Sequence, residues 1–169
     1  MCGVCGIVPL GSPFAANRSR DRVAAMVAAL SHRGPDDSNL SGGVAAVLGV
    51  TRLAVRGLGS GKQPIVDAIS GIVVVCNGEI DNHRELRRWL GERGRDVTQE
   101  TDIAVIPELY LELGEAFVER LVGVFAIAIW DPRTECVVLA RPGWGASALL
   151  FRGGRSGSVR DGNRGARWR

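Results

Sequence analysis

The second residue is placed to do chemistry. Cys2 follows Met1 and opens the run Cys2-Gly3-Val4-Cys5-Gly6-Ile7-Val8, so loss of the initiator methionine would leave a thiol and a free α-amine on one residue. An α-amine with a reference pKa of about 8 is substantially neutral in a cell and can take the thiol proton directly or through a water. Such a nucleophile needs no histidine. A papain-like pairing of Cys2 with His32 or His83 is the competing arrangement, weakened by a loop position for His32 and an exposed helix turn for His83. The bland alternative is a small buried thiol. The same stretch also reads as C-x-x-C, a spacing used by zinc and redox sites. Strand alternation would send Cys2 and Cys5 to opposite faces, and Cys76 and Cys136 stand alone, so neither a metal nor a cofactor is expected.

The elements that must position this residue follow from periodicity. Cys2 to Val8 is short, apolar and bounded by Pro9, Gly11 and Pro13, which predicts a buried strand. Arg20 to Leu30 carries Val23, Met26, Val27 and Leu30 at helical spacing and stops at Ser31-His32-Arg33-Gly34-Pro35. A loop bearing Asp36 and Asp37 follows. Gly43 to Val55 and Gly71 to Cys76 predict strands, separated by a glycine-rich link from Gly57 to Gly61. Asn82 to Arg93 predicts a helix with Gly94 as its stop. Asp102 to Leu113 is apolar on one face, with a kink or break expected at Pro107, and Glu115 to Leu121 reads as a short helix. Val124 to Trp130 and Cys136 to Ala140 predict a hairpin around Asp131-Pro132-Arg133-Thr134. The mixture lacks a regular βαβ alternation, so the fold class is α+β.

Composition narrows the function classes. A chain of 169 residues with 46% hydrophobic residues can bury one domain's core. Four cysteines without paired close spacing point to a reduced, cytoplasmic protein. No signal peptide is visible, and the longest apolar run, Val124 to Trp130, is far below the ~20 residues of a membrane span. The formal charge of +3 hides an asymmetry: residues 152–169 hold six Arg and one Asp, a net of +5, which leaves residues 1–151 at −2. This Gly/Arg-rich tail has almost no apolar periodicity and is expected to be disordered. Nucleic-acid binding by the tail is disfavoured, since Trp168 alone gives little stacking and no binding module is visible.

Five segments in order resemble the N-terminal glutaminase domain of asparagine synthetase, a class II glutamine amidotransferase of the N-terminal-nucleophile hydrolase group. They are Met-Cys-Gly at the start, SHRGPDD at Ser31 to Asp37, TRLAV at Thr51 to Val55, CNGEIDNHRELR at Cys76 to Arg87, and TDIAVIPELYLELGEAFVERLVGVFAIAIWD at Thr101 to Asp131. The resemblance covers about Met1 to Arg141. It implies a four-layer αββα sandwich with Cys2 at the end of a central strand. It also implies a site for L-glutamine, whose carboxylate, ammonium and carboxamide call for a fixed cation, a fixed anion, a nucleophile and an oxyanion cradle. Cys2 is then the nucleophile. Arg52 matches the residue for the α-carboxylate, its alternative being a surface arginine. Asp102, aided by Glu79, matches the position for the α-ammonium, its alternative being a helix N-terminal acid beside Thr101. Leu53 and Val55 fall in the substrate-binding segment. Asn77 and Gly78 match the oxyanion hole, where a side-chain amide and a backbone N–H meet the tetrahedral oxygen; a bare Asn-Gly pair otherwise marks a hairpin turn.

Departures from the pattern bear on the functional expectation. After R-L-A-[IV] the usual [IV]-D-L is replaced by Arg56-Gly57-Leu58, and A-R-D-R-x-G-[IV]-[KR]-P-L appears as Ala140-Arg141-Pro142-Gly143-Trp144-Gly145-Ala146-Ser147-Ala148-Leu149. The S-G-G-x-D-S phosphate loop of the ATP-pyrophosphatase half is missing, Ser41-Gly42-Gly43 being followed by Val44-Ala45-Ala46. The leading expectation is a glutaminase domain, residues 1–151, delivering ammonia to a synthetase that is a separate chain or has been lost. The alternatives are an inactive truncated or remnant domain acting as an interaction module, and an amidotransferase-like synthetase of specialised metabolism.

Overall fold

Strand alternation divides the molecule into layers. The computed structural model describes residues 2–8, 15–54, 61–142 and 166–168. The strands are β1 (Gly3–Ile7), β2 (Asp37–Gly42), β3 (Val47–Arg52), β4 (Ile65–Val66), β5 (Val73–Ile80), β6 (Gly123–Asp131), β7 (Cys136–Ala140) and β8 (Ala166–Trp168). The helices are α1 (Ala15–Ala29), α2 (His83–Gly91) and α3 (Val105–Leu113), with 3-10 turns at Ser31–Arg33, Asp102–Ala104 and Gly114–Arg120. Two antiparallel sheets form, ordered β1-β3-β2 and β4-β5-β6-β7-β8.

Val47 of β3 packs with Val23 and Val27 of α1. Leu48 and Val50, on the other face of the strand, meet Val73, Val75, Ala128, Trp130 and Val137 of the second sheet. That sheet turns Val74, Cys76, Ile80, Ile127 and Ile129 the opposite way, onto Leu86 and Leu90 of α2 and Ile106 and Leu109 of α3. Period-2 patterning on both sheets therefore produces four layers: α1, three strands, five strands, then α2 with α3. This is the αββα order the resemblance implied.

Several elements differ from the sequence expectation. β1 lies at the edge of the described three-stranded sheet, and β3 is its centre; only Gly3 of β1 is fully buried. Helix α1 begins at Ala15, and the two-acid loop opens into β2 because Asp37 pairs opposite Arg52. No kink arises at Pro107, which occupies the first turn of α3, where an N–H has no intrahelical partner to lose. Gly114–Arg120 is 3-10 rather than α-helix. Ala166–Trp168 pair with β7, so three residues of the segment expected to be disordered extend the second sheet; residues 152–165 lie outside the described residues. Among the described residues no helix is long and apolar enough to cross a membrane.

Candidate active site

Cys2 stands just before β1 and opposite the end of β3, whose Thr51 is in register with Gly3. The Leu53 N–H donates to the thiol at 3.4 Å, and the thiol lies 3.8 Å from the Leu53 carbonyl. Arg33 donates through Nε to the Cys2 carbonyl at 3.2 Å, and the Gly3 N–H donates to Thr51 Oγ1 at 3.1 Å. The SHRGPDD loop thus does structural work at both strand ends. The Asp36 N–H donates to the Arg52 carbonyl at 3.1 Å, and Asp36 Oδ2 accepts from the Ala54 N–H at 2.7 Å. Gly34 crosses so close that a Cβ there would lie 2.5 Å from the Arg52 nitrogen. Alternation puts Arg52 on the inter-sheet face with Leu48 and Val50, where it is 8% exposed; the surface-arginine alternative does not hold. Cys2 packs against that same inter-sheet cluster, whereas Cys5 packs with the α1 cluster, so the two thiols do face opposite ways. Burial pushes the Cys5 thiol up to about 11.

The second half of the site lies along one edge of β5. Residues two apart on a strand direct their N–H groups to the same side. Val74 meets Ile65 of β4. At Cys76 the neighbouring backbone is replaced by a side chain: Gln63 Oε1 accepts the Cys76 N–H at 2.7 Å, and Gln63 Nε2 donates to the Cys76 carbonyl at 3.0 Å. At Ile80 the N–H goes to Asp102 Oδ2 at 2.8 Å. Gly78 falls between these two, and by alternation its N–H points to the same edge, away from β6. Gly78 has φ 140°, and a Cβ there would sit 2.0 Å from the Val124 carbonyl oxygen of β6, so only glycine fits against β6 at this position. Asn77, 8% exposed, shares the inter-sheet face with Val73 and Val75 by alternation. Asn77-Gly78 is strand, not a hairpin turn.

Asp102 is buried at 6% exposure. It does open a 3-10 turn capped by Thr101, whose Oγ1 accepts the Ile103 N–H, yet its carboxylate turns back to the end of β5. Thr101 Oγ1 also lies 3.4 Å from Asp102 Oδ1. The segment leading to Asp102 is held by Arg87 of α2, which donates to the carbonyls of Val97, Gln99 and Thr101. Burial pushes the Cys76 thiol well up, and the Asp102 carboxylate and Cys2 add to it, which sets both groups within electrostatic reach of the residue before Asn77.

Hydrogen bonds tie Cys2 to Leu53 and Asp102 to the end of β5 at Ile80; Asn77 and Gly78 lie on β5 between Cys76 and that end, and alternation turns Arg52 toward the inter-sheet face. Glu79 is half-buried beside Gly78. Val55 and the Arg56-Gly57-Leu58 departure lie outside the described residues, as do residues 143–148. His32 bonds to the Ala29 carbonyl at 3.0 Å within its own loop. His83 is half-buried at the start of α2 rather than exposed. Sequence reasoning missed Gln63, Arg33 and Arg87 as positioning groups. Arg33 and Arg87 sat inside quoted motifs, while Gln63 carried no signal beyond preceding Pro64 and a short strand.

Residues 1–161 match the glutamine amidotransferase domain family, and the chain belongs to it. Its similarity is to glutamine-hydrolysing asparagine synthetases. The one from Asparagus officinalis is 40% identical over 159 residues, covering 94% of this chain and 26% of that protein. The second such enzyme of Bacillus subtilis (strain 168) is 36% identical over 151 residues, 89% of this chain and 20% of that protein. The chain thus spans no more than about a quarter of the length of these curated relatives. Among solved structures, a glutamine phosphoribosylpyrophosphate amidotransferase of B. subtilis complexed with ADP and GMP superposes with a TM-score of 0.48 at 20% identity, over 59% of this chain and 23% of that chain.

Proposed function

We propose that the chain hydrolyses L-glutamine to glutamate and ammonia through a thioester on Cys2. With Met1 removed, the α-amine takes the thiol proton and the thiolate attacks the carboxamide carbon. The carbonyl electron pair moves onto oxygen, where the Gly78 N–H and the Asn77 carboxamide donate to it. Collapse breaks the C–N bond, and the α-ammonium returns its proton to the leaving ammonia. Water, deprotonated by the amine, then attacks the thioester, releasing glutamate and the Cys2 sulfur. Arg52 pairs with the substrate carboxylate, Asp102 and Glu79 with its ammonium, and Leu53 and Val55 line the pocket. The ammonia serves an ATP-dependent synthetase region outside these residues, and the four free cysteines fit the cytoplasm.

What supports this reading most is the position of Gly78 on β5, between the edge bonds that Cys76 makes to Gln63 and Ile80 makes to Asp102, beside a buried Asn77. Glutamine hydrolysis by the Met1-free protein tests it. Cys2→Ala should abolish turnover, and Asn77→Ala should lower kcat about 10²-fold or more by removing one transition-state donor. The alternative, an inactive domain serving as an interaction module, draws on the altered residues 142–148. A folded, Met1-free parent without turnover would favour it.

A further inference from the structure

We infer that Gln63 is a positioning residue for the oxyanion hole, its carboxamide standing in for a missing strand beside the group that would stabilise the tetrahedral oxygen. This rests on the glutaminase reading above. β4 pairs with β5 through Ile65 opposite Val74 and Val66 opposite Val73, and continuing that register puts Gln63 opposite Cys76. A backbone rung would fall there. Instead the Gln63 side chain supplies both halves of it, accepting from the Cys76 N–H at 2.7 Å and donating to the Cys76 carbonyl at 3.0 Å. Gln63 is 6% exposed, so these are dry bonds with little water to replace them.

The consequence falls on the next peptide unit. The carbonyl that Gln63 Nε2 holds belongs to the plane that carries the Asn77 nitrogen, and by alternation the next N–H directed to that edge is that of Gly78. A strand edge held only from β6 would be free to twist at the point where two donors must converge on one oxygen. A side chain can close this rung without continuing the strand, and so leaves the next position on the edge vacant for substrate. A backbone neighbour extended past Cys76 would pair with Gly78 and consume that N–H.

The test uses the full chain after Met1 removal. Gln63→Met deletes both bonds with little change in volume, and Gln63→Asn keeps a carboxamide one methylene too short to reach both Cys76 groups. Either variant should lower kcat about tenfold or more while the glutamine KM stays within about threefold, as expected when only transition-state stabilisation is lost. Inhibition by an aldehyde analogue of glutamine, whose carbonyl takes up the Cys2 sulfur and develops the same oxygen charge, should weaken in step with kcat, and inhibition by glutamate should not. Equal losses for both inhibitors would mean a general loss of structure and overturn the inference. Amide hydrogen exchange supplies a readout independent of turnover: in Gln63→Met it should quicken at Cys76 and hold at Asn77, which pairs with β6. Unchanged exchange at Cys76 overturns the inference even if the parent is inactive. A parent slowed by Asn77→Ala but indifferent to both Gln63 variants overturns it alone, whereas a parent indifferent to Asn77→Ala contradicts the glutaminase reading.

Discussion

Four thiols share this chain, and their surroundings separate them. Cys76 and Cys136 are buried, Cys5 is pushed up to about 11 by burial, and Cys2 alone is bracketed by the backbone of Leu53 at the mouth of the inter-sheet face. Around it the charged partners make distinct demands. Arg52→Lys should raise the glutamine KM strongly, because a point charge replaces a planar two-pronged donor, and Asp102→Asn should do the same by removing the anion; steady-state kinetics on both variants checks the pocket assignment. Asp102→Asn has a second expected effect, since its Oδ2 also accepts the Ile80 N–H. Gly78 is the least replaceable position. Gly78→Ala sets a Cβ 2.0 Å from the Val124 carbonyl at φ 140°, so glutamine turnover should vanish and the thermal unfolding midpoint should drop.

Elements carry these residues into place through clamps more than through contacts between the residues themselves. Arg87→Met should free the segment that delivers Asp102, because three carbonyl acceptors at Val97, Gln99 and Thr101 lose their donor. The glutamine KM should rise with kcat largely kept, and glutaramate, which lacks the α-amine, should lose less than glutamine does. These clamps mark what was legible in the sequence. The elements were readable because β5 and β6 hold short, near-continuous apolar runs, as strands buried on both faces do, and apolar residues recur at helical spacing in α1 and α2; the four-layer order came from the resemblance. The site residues were readable through motifs. Local composition left the end of β5 unread where tertiary pairing decided: the predicted strand stopped at Cys76, yet pairing of Asn77 and Gly78 with Ala126 and Phe125 carries it on to Ile80. Pro107 suggested a kink, yet the Thr101-capped turn shifts the start of α3 so that the proline falls where it costs nothing. Gln63 was invisible because a side chain replacing a backbone rung leaves no periodicity.

At the scale of the whole molecule, the end of β6 is pinned far along the strand from Gly78. The Tyr110 hydroxyl donates to Asp131 Oδ2 at 3.1 Å, and Arg133 makes two side-chain bonds to the same carboxylate. Burial of Asp131 favours its neutral form, but the Arg133 hydrogen bonds and charge, with the Tyr110 bond, outweigh that and hold the carboxyl below its ordinary value. A carboxyl that ionises more readily in the folded state contributes stability above its unfolded pKa of about 4, and the contribution is lost as the pH falls through the lower folded value. Asp131→Asn should therefore cost about 1.5–3 kcal/mol near neutrality, and its unfolding free energy should fall less than the parent's on acidification below about pH 4. The two sheets pack face to face with Cys2 against their shared cluster, the residue proposed as the N-terminal nucleophile for glutamine. Intact-mass and peptide mapping after treatment with 6-diazo-5-oxo-norleucine tests that role. One adduct, formed with loss of dinitrogen, is expected on Cys2 of Met1-free protein, blocked by glutamine and absent from Cys5, Cys76 and Cys136. Equal labelling of protein that retains Met1, or no selective labelling of Cys2 in folded Met1-free protein, would contradict it.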